Sequence, residues 1–445
     1  MGDELLNLAE MAVAKAIKLG ATAADAIVVD GNSTSVSVRQ GKIEDVGRSE
    51  SRDIGIRVFA GQSSAIIAGS VLTSDAIGKL VERALAMAKL APPDPYSGIA
   101  DPSQLAQKVI DLDLVGDETP SPLKLQEIAF EAEAVALSVS GVSKSNGAGS
   151  SESSNSVAIA ASNGFAQAYR RTGYGFSASV IAGEGTAMER DYDGTSALHF
   201  SDLETPEKIG RSAGERAVKR LNPRKIASQT VPVIFDRRVS SSLIGHLAGA
   251  INGASIARGV SFLKDDMGKA LFKPEVTIVD DPLRIRGFSS RSFDGEGLPT
   301  QRRNLIDKGV LTSWVLDLRS ARQLGLTPTG SGARGLGSQP GPSTSNLHME
   351  PGLKSPEEMM RDIDTGLLVT EFIGSSINSA TGDYSRGATG FWIENGEIQY
   401  PVSEITIAGN LKNMFAALTP ANDLIFKGAV NAPSCLIESM TIAGR

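Results

Sequence analysis

The residue types best suited to holding a catalytic metal or moving a proton at neutral pH are scarce in this chain. There are three histidines, His199, His246 and His348, and one cysteine, Cys435. A catalytic zinc ion takes three protein ligands drawn from His, Cys and carboxylates, often with two histidines one helical turn apart. His246 lies in DRRVSSSLIGHLAGAINGASIARG (236–259), which reads as one helix with Asp236 as N-cap and Gly259 just past its end. Ser241 and Ser242 precede it by five and four residues, and Ala250 and Ile251 follow at four and five. It therefore has no same-helix ligand partner, and the expectation is a partly buried histidine hydrogen-bonded to a neighbour. His199 in SALHFSDL and His348 in NLHMEPG are equally isolated, so a zinc site would have to be assembled from all three. Ser241 or Ser242 could be a nucleophile with His246 as base, but no acid stands nearby to orient the imidazole.

Two glycine patterns invite chemical readings. GSGARG (330–335) matches G-x-G-x-x-G, yet it follows Thr-Pro-Thr and precedes GLGSQPGP, which cannot form the helix that would face a pyrophosphate. It is not a dinucleotide site. Gly245, Gly249 and Gly253 recur every fourth residue on one face of the 236–259 helix, at about 0.8–1 kcal/mol each relative to alanine. The expectation is that close packing of another backbone on that face offsets the penalty. Asp294 and Glu296 with Gln301, Arg334, and Asp383 to Arg386 are candidates for cavity or interface positions, against the plainer reading of surface turn residues.

The elements that must position these groups belong to an ordinary globular chain. Its 41% hydrophobic and 21% charged residues exclude a disordered class. A net charge of −7 and isolated arginine doublets give no phosphate-binding footprint, so direct nucleic-acid binding is not expected. One cysteine precludes an internal disulfide and suits a reducing compartment. The acidic start Asp3-Glu4 does not suit a signal peptide, and no apolar run is long enough to span a membrane. A cytoplasmic location is expected.

Along the chain, a first helix ends near Lys18 with Gly20 as its stop. DAIVVD, STSVSVRQ, KIEDVGRSESR, IGIRVFA and SSAIIAGSV follow as antiparallel strands, with GN, GK and GQ as turn signals. Helices are expected over 74–90 and within 122–139, strands over 155–161, 164–171 and 174–182, and a helix over 205–220. LNPRKIASQT (221–230) marks the boundary between an N-terminal α+β domain (1–225) and a C-terminal β-rich domain (226–445). In the latter, FWIENGEIQY (391–400) is a hairpin, and 329–346 is a long Gly/Ser/Pro loop of the kind that is more often functional than idle. The fold class is α+β: an N-terminal antiparallel or mixed sheet with helices, then a strand-rich, barrel-like domain.

Several long stretches carry a resemblance. SSSLIGHLAGAINGASIARGVSFL, FDGEGLPTQRRNLIDKGVLTSWVLDLRSARQLG, SNLHMEPG, TGDYSRGATGFWIENGEIQYPVSEITIAGNL and SCLIESMTIAG, with SVSVRQGKIEDV, GIRVFAGQ and PPDPYSG near the N-terminus, resemble the TldD/PmbA family. The resemblance covers nearly the whole chain. Members are described as cytosolic zinc-peptidase subunits and, in older naming, as modulators of DNA gyrase.

The resemblance implies a role. In the TldD-like branch this helix carries His-Glu-x-x-x-His, and a cysteine near the C-terminus completes the zinc site. Here those positions fall on Ser241, Ser242 and His246, and Cys435 stands later than the ligand cysteine of that branch. The chain thus resembles the PmbA (TldE-like) branch, which holds no metal and pairs with a zinc-bearing TldD-like partner to act on short or unfolded peptides. Two serines cannot replace an imidazole and a carboxylate in zinc hydrolysis. The rival expectation is a non-catalytic homodimer that binds peptides or regulates a larger assembly.

Overall fold

The computed structural model describes residues 2–444. Its N-terminal half is one antiparallel sheet of six strands: β1 (Ala23–Arg39), β2 (Lys42–Ala60), β3 (Ser63–Gly69), β4 (Val142–Ala161), β5 (Ala166–Ala182) and β6 (Glu189–Ala197), in the order β3-β2-β1-β4-β5-β6. Strict alternation divides β1 by face. Ala24, Ala26, Val28, Val36 and Val38 point to one side, where they are buried beneath α1 (Gly2–Lys18), α2 (Ser74–Leu90), α3 (Pro122–Leu137) and α4 (Pro206–Lys219). Each helix shows its own reason for forming there. In α1, buried Leu5, Ala9, Ala12, Val13 and Ala16 repeat at helical spacing, and Gly20 at φ +95 ends the run. Thr73, Ser121 and Thr205 each cap a helix N-terminus through the side-chain oxygen.

The strands are longer than the local signals indicate. Gly31-Asn32 is not a turn: β1 runs straight through it, with Gly31 opposite Ser51 on one side and Asn155 on the other. A Cβ at Gly31 would lie 2.7 Å from the Asn155 side-chain oxygen, so this glycine makes room for a neighbour. The stretches 155–161, 164–171 and 174–182 likewise merge into β4 and β5. The turns that do form use left-handed residues, Gln40 (φ 53) and Gly41 (φ 72) between β1 and β2.

The C-terminal half is built on a closed five-strand barrel. From β7 (Gln229–Phe235) the ring passes through Thr365–Ile377, Asp383–Glu394, Glu397–Asn410 and Cys435–Ala443, and then back to β7. Only the contact between β7 and 365–377 is parallel. The hairpin at Asn395-Gly396 has positive φ at both central residues (52 and 80), as its tight turn requires. Val233, Phe235, Leu367, Val369, Ile405, Ile407, Ile437 and Ile442 fill the core. Leaving β7, the chain turns at Asp236 into α5 (Arg237–Ala250), which lays Val239, Leu243, Ile244 and Leu247 on that same core. A smaller sheet, ordered 310–311, 303–307, 278–280, 347–349 and 430–431, extends the domain. Among the described residues no helix is long and apolar enough to cross a membrane.

Candidate functional site

Where one helix is expected over 236–259, the structure has two. Chain segment 315 inserts between them: Val315 donates its N–H to the Ile251 carbonyl (3.1 Å) and accepts from the Gly253 N–H (2.8 Å). Asn252 restarts the helix as N-cap of α6 (Gly253–Ala257), its side-chain oxygen accepting from the Ala254 N–H at 3.1 Å. The glycine row therefore does not share one role. Gly253 is packed so tightly that a Cβ would fall 2.8 Å from the Val315 carbonyl oxygen. Gly245 and Gly249 are exposed, with no heavy atom within 4 Å of where a Cβ would stand, so within this chain nothing packs on that face.

The three motif positions of α5 diverge. Ser242 donates to the Val239 carbonyl one turn back at 2.6 Å. Ser241 lines a cleft of about 350 Å³ between the two halves, with Tyr192, Arg216, Arg237, Arg238 and Lys427. Three of its cations are matched by acids on β6: Arg238 with Asp191 at 2.7 Å, and Arg216 and Lys427 with Asp193 at 3.1 and 3.5 Å. His246 is half-buried against the ring of Tyr384 (centroids 5.9 Å apart, planes at 73°). Contrary to the expected hydrogen bond, its Nε2 has no partner among the described residues. Burial, and then the Arg386 guanidinium, hold the imidazole below its ordinary pKa, so it is neutral at pH 7.

A zinc ion does not fit this donor set. Among the described residues no group of three or more His, Cys, Asp or Glu side chains could hold a metal. Cys435 opens the last barrel strand fully buried, its Sγ 3.3 Å from the Pro433 carbonyl and 3.8 Å from Met349 Sδ, and burial pushes its thiol pKa far up. His199 lies 2.9 Å from the Asp113 carbonyl, and His348 packs edge-on against Phe426. The three histidines thus sit in three separate settings.

Asp294, Glu296 and Arg334 do come together, but not as surface turns. They close a buried ionic cluster between the two halves, on the sheet face opposite α1–α4. Asp25 of β1 accepts from Arg57 of β2 (Nε to Oδ2, 3.0 Å) and also pairs with Arg334, whose side chain is 2% exposed. Burial alone would raise the Asp25 pKa, and the two guanidiniums more than offset that and hold it down. Gly55 lets the loop in: a Cβ there would overlap the Leu336 carbonyl oxygen at 2.1 Å. Asp294 accepts backbone N–H groups from Glu296, Leu298 and Gly332 (2.9, 2.9 and 2.8 Å), and Glu296 accepts the Leu318 N–H at 2.8 Å. Burial first and the adjacent Asp294 second push the Glu296 carboxyl up to about 8. The expected open loop 329–346 is thereby anchored by its own arginine and by a short ribbon pairing 332–333 with 341–342.

Gln301 is exposed and apart from this cluster. Asp383 is exposed at the start of its barrel strand, accepting from Thr381 at 2.6 Å. Arg386, three residues further along the same strand, acts on His246 through its charge. Sequence reasoning missed Asp25 and Arg57. The available signal was a charged residue at an alternating position inside an otherwise apolar strand, in DAIVVD and GIRVFA.

Comparison with known proteins places this architecture. Models of the PmbA/TldA metallopeptidase domains match in order: domain 1 over residues 24–88, the central domain over 116–221 and the C-terminal domain over 228–444. The chain belongs to the PmbA/TldD metallopeptidase family, as a PmbA/TldE-like member. It is 40% identical over 444 residues to Metalloprotease PmbA of Escherichia coli O157:H7, spanning 99% of this chain and 97% of that one. It is 37% identical over 445 residues to the PmbA homolog of Haemophilus influenzae, spanning 99% and 96%. A crystal structure described as a proposed DNA gyrase modulator, from Bacteroides thetaiotaomicron, superposes with a TM-score of 0.92 at 28% identity, over 100% of this chain and 99% of that one. TldE from Thermococcus kodakarensis shares the fold, with a TM-score of 0.87 at 21% identity over 98% and 99%.

Proposed function

We propose that this chain is the PmbA/TldE-type subunit of a cytosolic two-subunit metallopeptidase, working with a zinc-bearing TldD-like partner on short or unfolded peptides. The observation that carries the reading is the state of α5. Ser242 is bonded to its own helix, Ser241 opens into a cleft of paired charges, and His246 is neutral with no carboxylate against it. A helix so furnished offers neither a ligand set nor a general base for zinc-bound water. Hydrolysis then belongs to the partner, and this chain completes the chamber. The edge strands β3 and β6 of the open N-terminal sheet suit extended substrate, since β-augmentation reads backbone and not side chains.

The test is to purify the chain alone and co-expressed with a TldD-like protein, then measure metal content and cleavage of an unfolded peptide by each. The expected outcome is no stoichiometric zinc and no cleavage by the single chain, with both present in the pair. Zinc-dependent cleavage by the pure single chain would refute the reading. Absence of cleavage from a zinc-loaded pair would favour a non-catalytic, peptide-binding homodimer.

A further inference from the structure

The contact between α5 and the barrel strand 383–394 leaves hydrogen-bonding capacity unspent. Tyr384 is only 2% exposed, yet its hydroxyl makes no well-formed hydrogen bond among the described residues, the Arg386 side chain being near enough to act on it, and the buried Nε2 of His246, whose ring it touches, has no partner. Each such atom left unmade costs about 1–3 kcal/mol, so two in contact mark a place where something else is meant to bind. Arg386 supplies the charge. Its guanidinium lies over the Phe372 ring (4.1 Å to the centroid) and its Nε donates to the Gly374 carbonyl at 3.1 Å, which fixes the group by one nitrogen. Among the described residues it forms no ion pair; burial and then its charge hold the His246 pKa down, while at Tyr384 its charge only partly offsets the rise that burial gives the phenol.

We propose that His246, Tyr384 and Arg386 form a receiving site for a carboxylate carried by a peptide. The three groups are donors: the free guanidinium nitrogens, a phenol O–H, and an imidazole N–H in the Nε2-protonated tautomer. A two-oxygen anion is the complement of an arginine fork plus one or two further donors. The helix surface beside the imidazole is bare, because Gly245 and Gly249 flank His246 with no side chain and no neighbour within 4 Å of their Cβ positions; a carboxylate reaches the buried Nε2 and phenol when the two rings turn toward that surface. The site rests on the peptide-handling reading above only for the identity of the ligand. It is tested on the single chain, without any partner or cleavage.

Three histidines make the readout simple. Imidazole signals of histidine-labelled protein, with His246 assigned by His246→Gln, are followed during titration with acetyl-trialanine, its C-terminal amide, and acetyl-Ala-Asp-Ala-amide. The expected result is a saturable shift of the His246 signal alone with at least one carboxylate-bearing peptide and none with the uncharged amide. Response to the free acid assigns a peptide C-terminus, and response to the Asp peptide assigns an acidic side chain. Tyr384→Phe, which keeps the ring, should weaken binding about 5- to 10-fold, and Arg386→Gln by more than about 10-fold. The proposal is overturned if no peptide moves the signal at millimolar concentration, if the amide acts equally, or if affinity is unchanged in Arg386→Gln.

Discussion

Replacing Glu296 by Gln isolates the electrostatic cost of the buried cluster. Glutamine keeps the oxygen that accepts the Leu318 N–H and removes only the titration. In the folded protein the Glu296 carboxyl titrates at about 8, against an ordinary value of 4.5. Between those two pH values the native state holds a proton that the unfolded chain has released. Stability therefore falls as pH rises, by about 1.4 kcal/mol per unit, and levels off above the folded value. Over the full window the loss is roughly 5 kcal/mol. Urea unfolding of both proteins at half-unit steps from pH 5 to 8.5 measures it, because the other titrating groups are common to the two. Glu296→Gln should lack this downward slope and become the more stable protein by several kcal/mol near pH 8. Parallel stability curves would refute the account, since they would mean that Glu296 is ionised and solvated like a surface carboxylate.

The same cluster makes Asp25 indispensable. Asp25→Ala strands the Arg57 and Arg334 guanidiniums without their shared anion and should cost about 3–5 kcal/mol, read by urea unfolding, with partial recovery when Arg334→Met is added. Gly249→Ala should instead stabilise the isolated chain by about 0.8–1 kcal/mol in the same assay, because the position is helical and open. Cys435 should not react with a thiol reagent until the protein is unfolded, since it is completely buried and its thiol is held protonated.

Much of the fold is legible in short stretches because the rules that shape them are local. Alternation in SVSVRQGKIEDV selects strands with a glycine turn between them, Asn395-Gly396 selects a tight hairpin, and apolar residues at helical spacing select the helices over 74–90 and within 122–139. Ligand chemistry is legible too, because it is written in residue type: no fold turns Ser241 and Ser242 into an imidazole and a carboxylate. What only the tertiary structure decided depends on segments distant in sequence. Gly31 extends a strand because Asn155 lies beside it, and the helix after Asp236 breaks because Val315 takes the backbone groups of Ile251 and Gly253. Gly245 and Gly249 look like a packing face by spacing alone, but whether a face is covered depends on what the rest of the chain brings to it, and here it brings nothing. Arg334, in a glycine-rich loop that locally promises only flexibility, is buried because Asp25 lies on a strand some three hundred residues away in sequence. A buried charge is set by its partner, and a partner is a property of the fold.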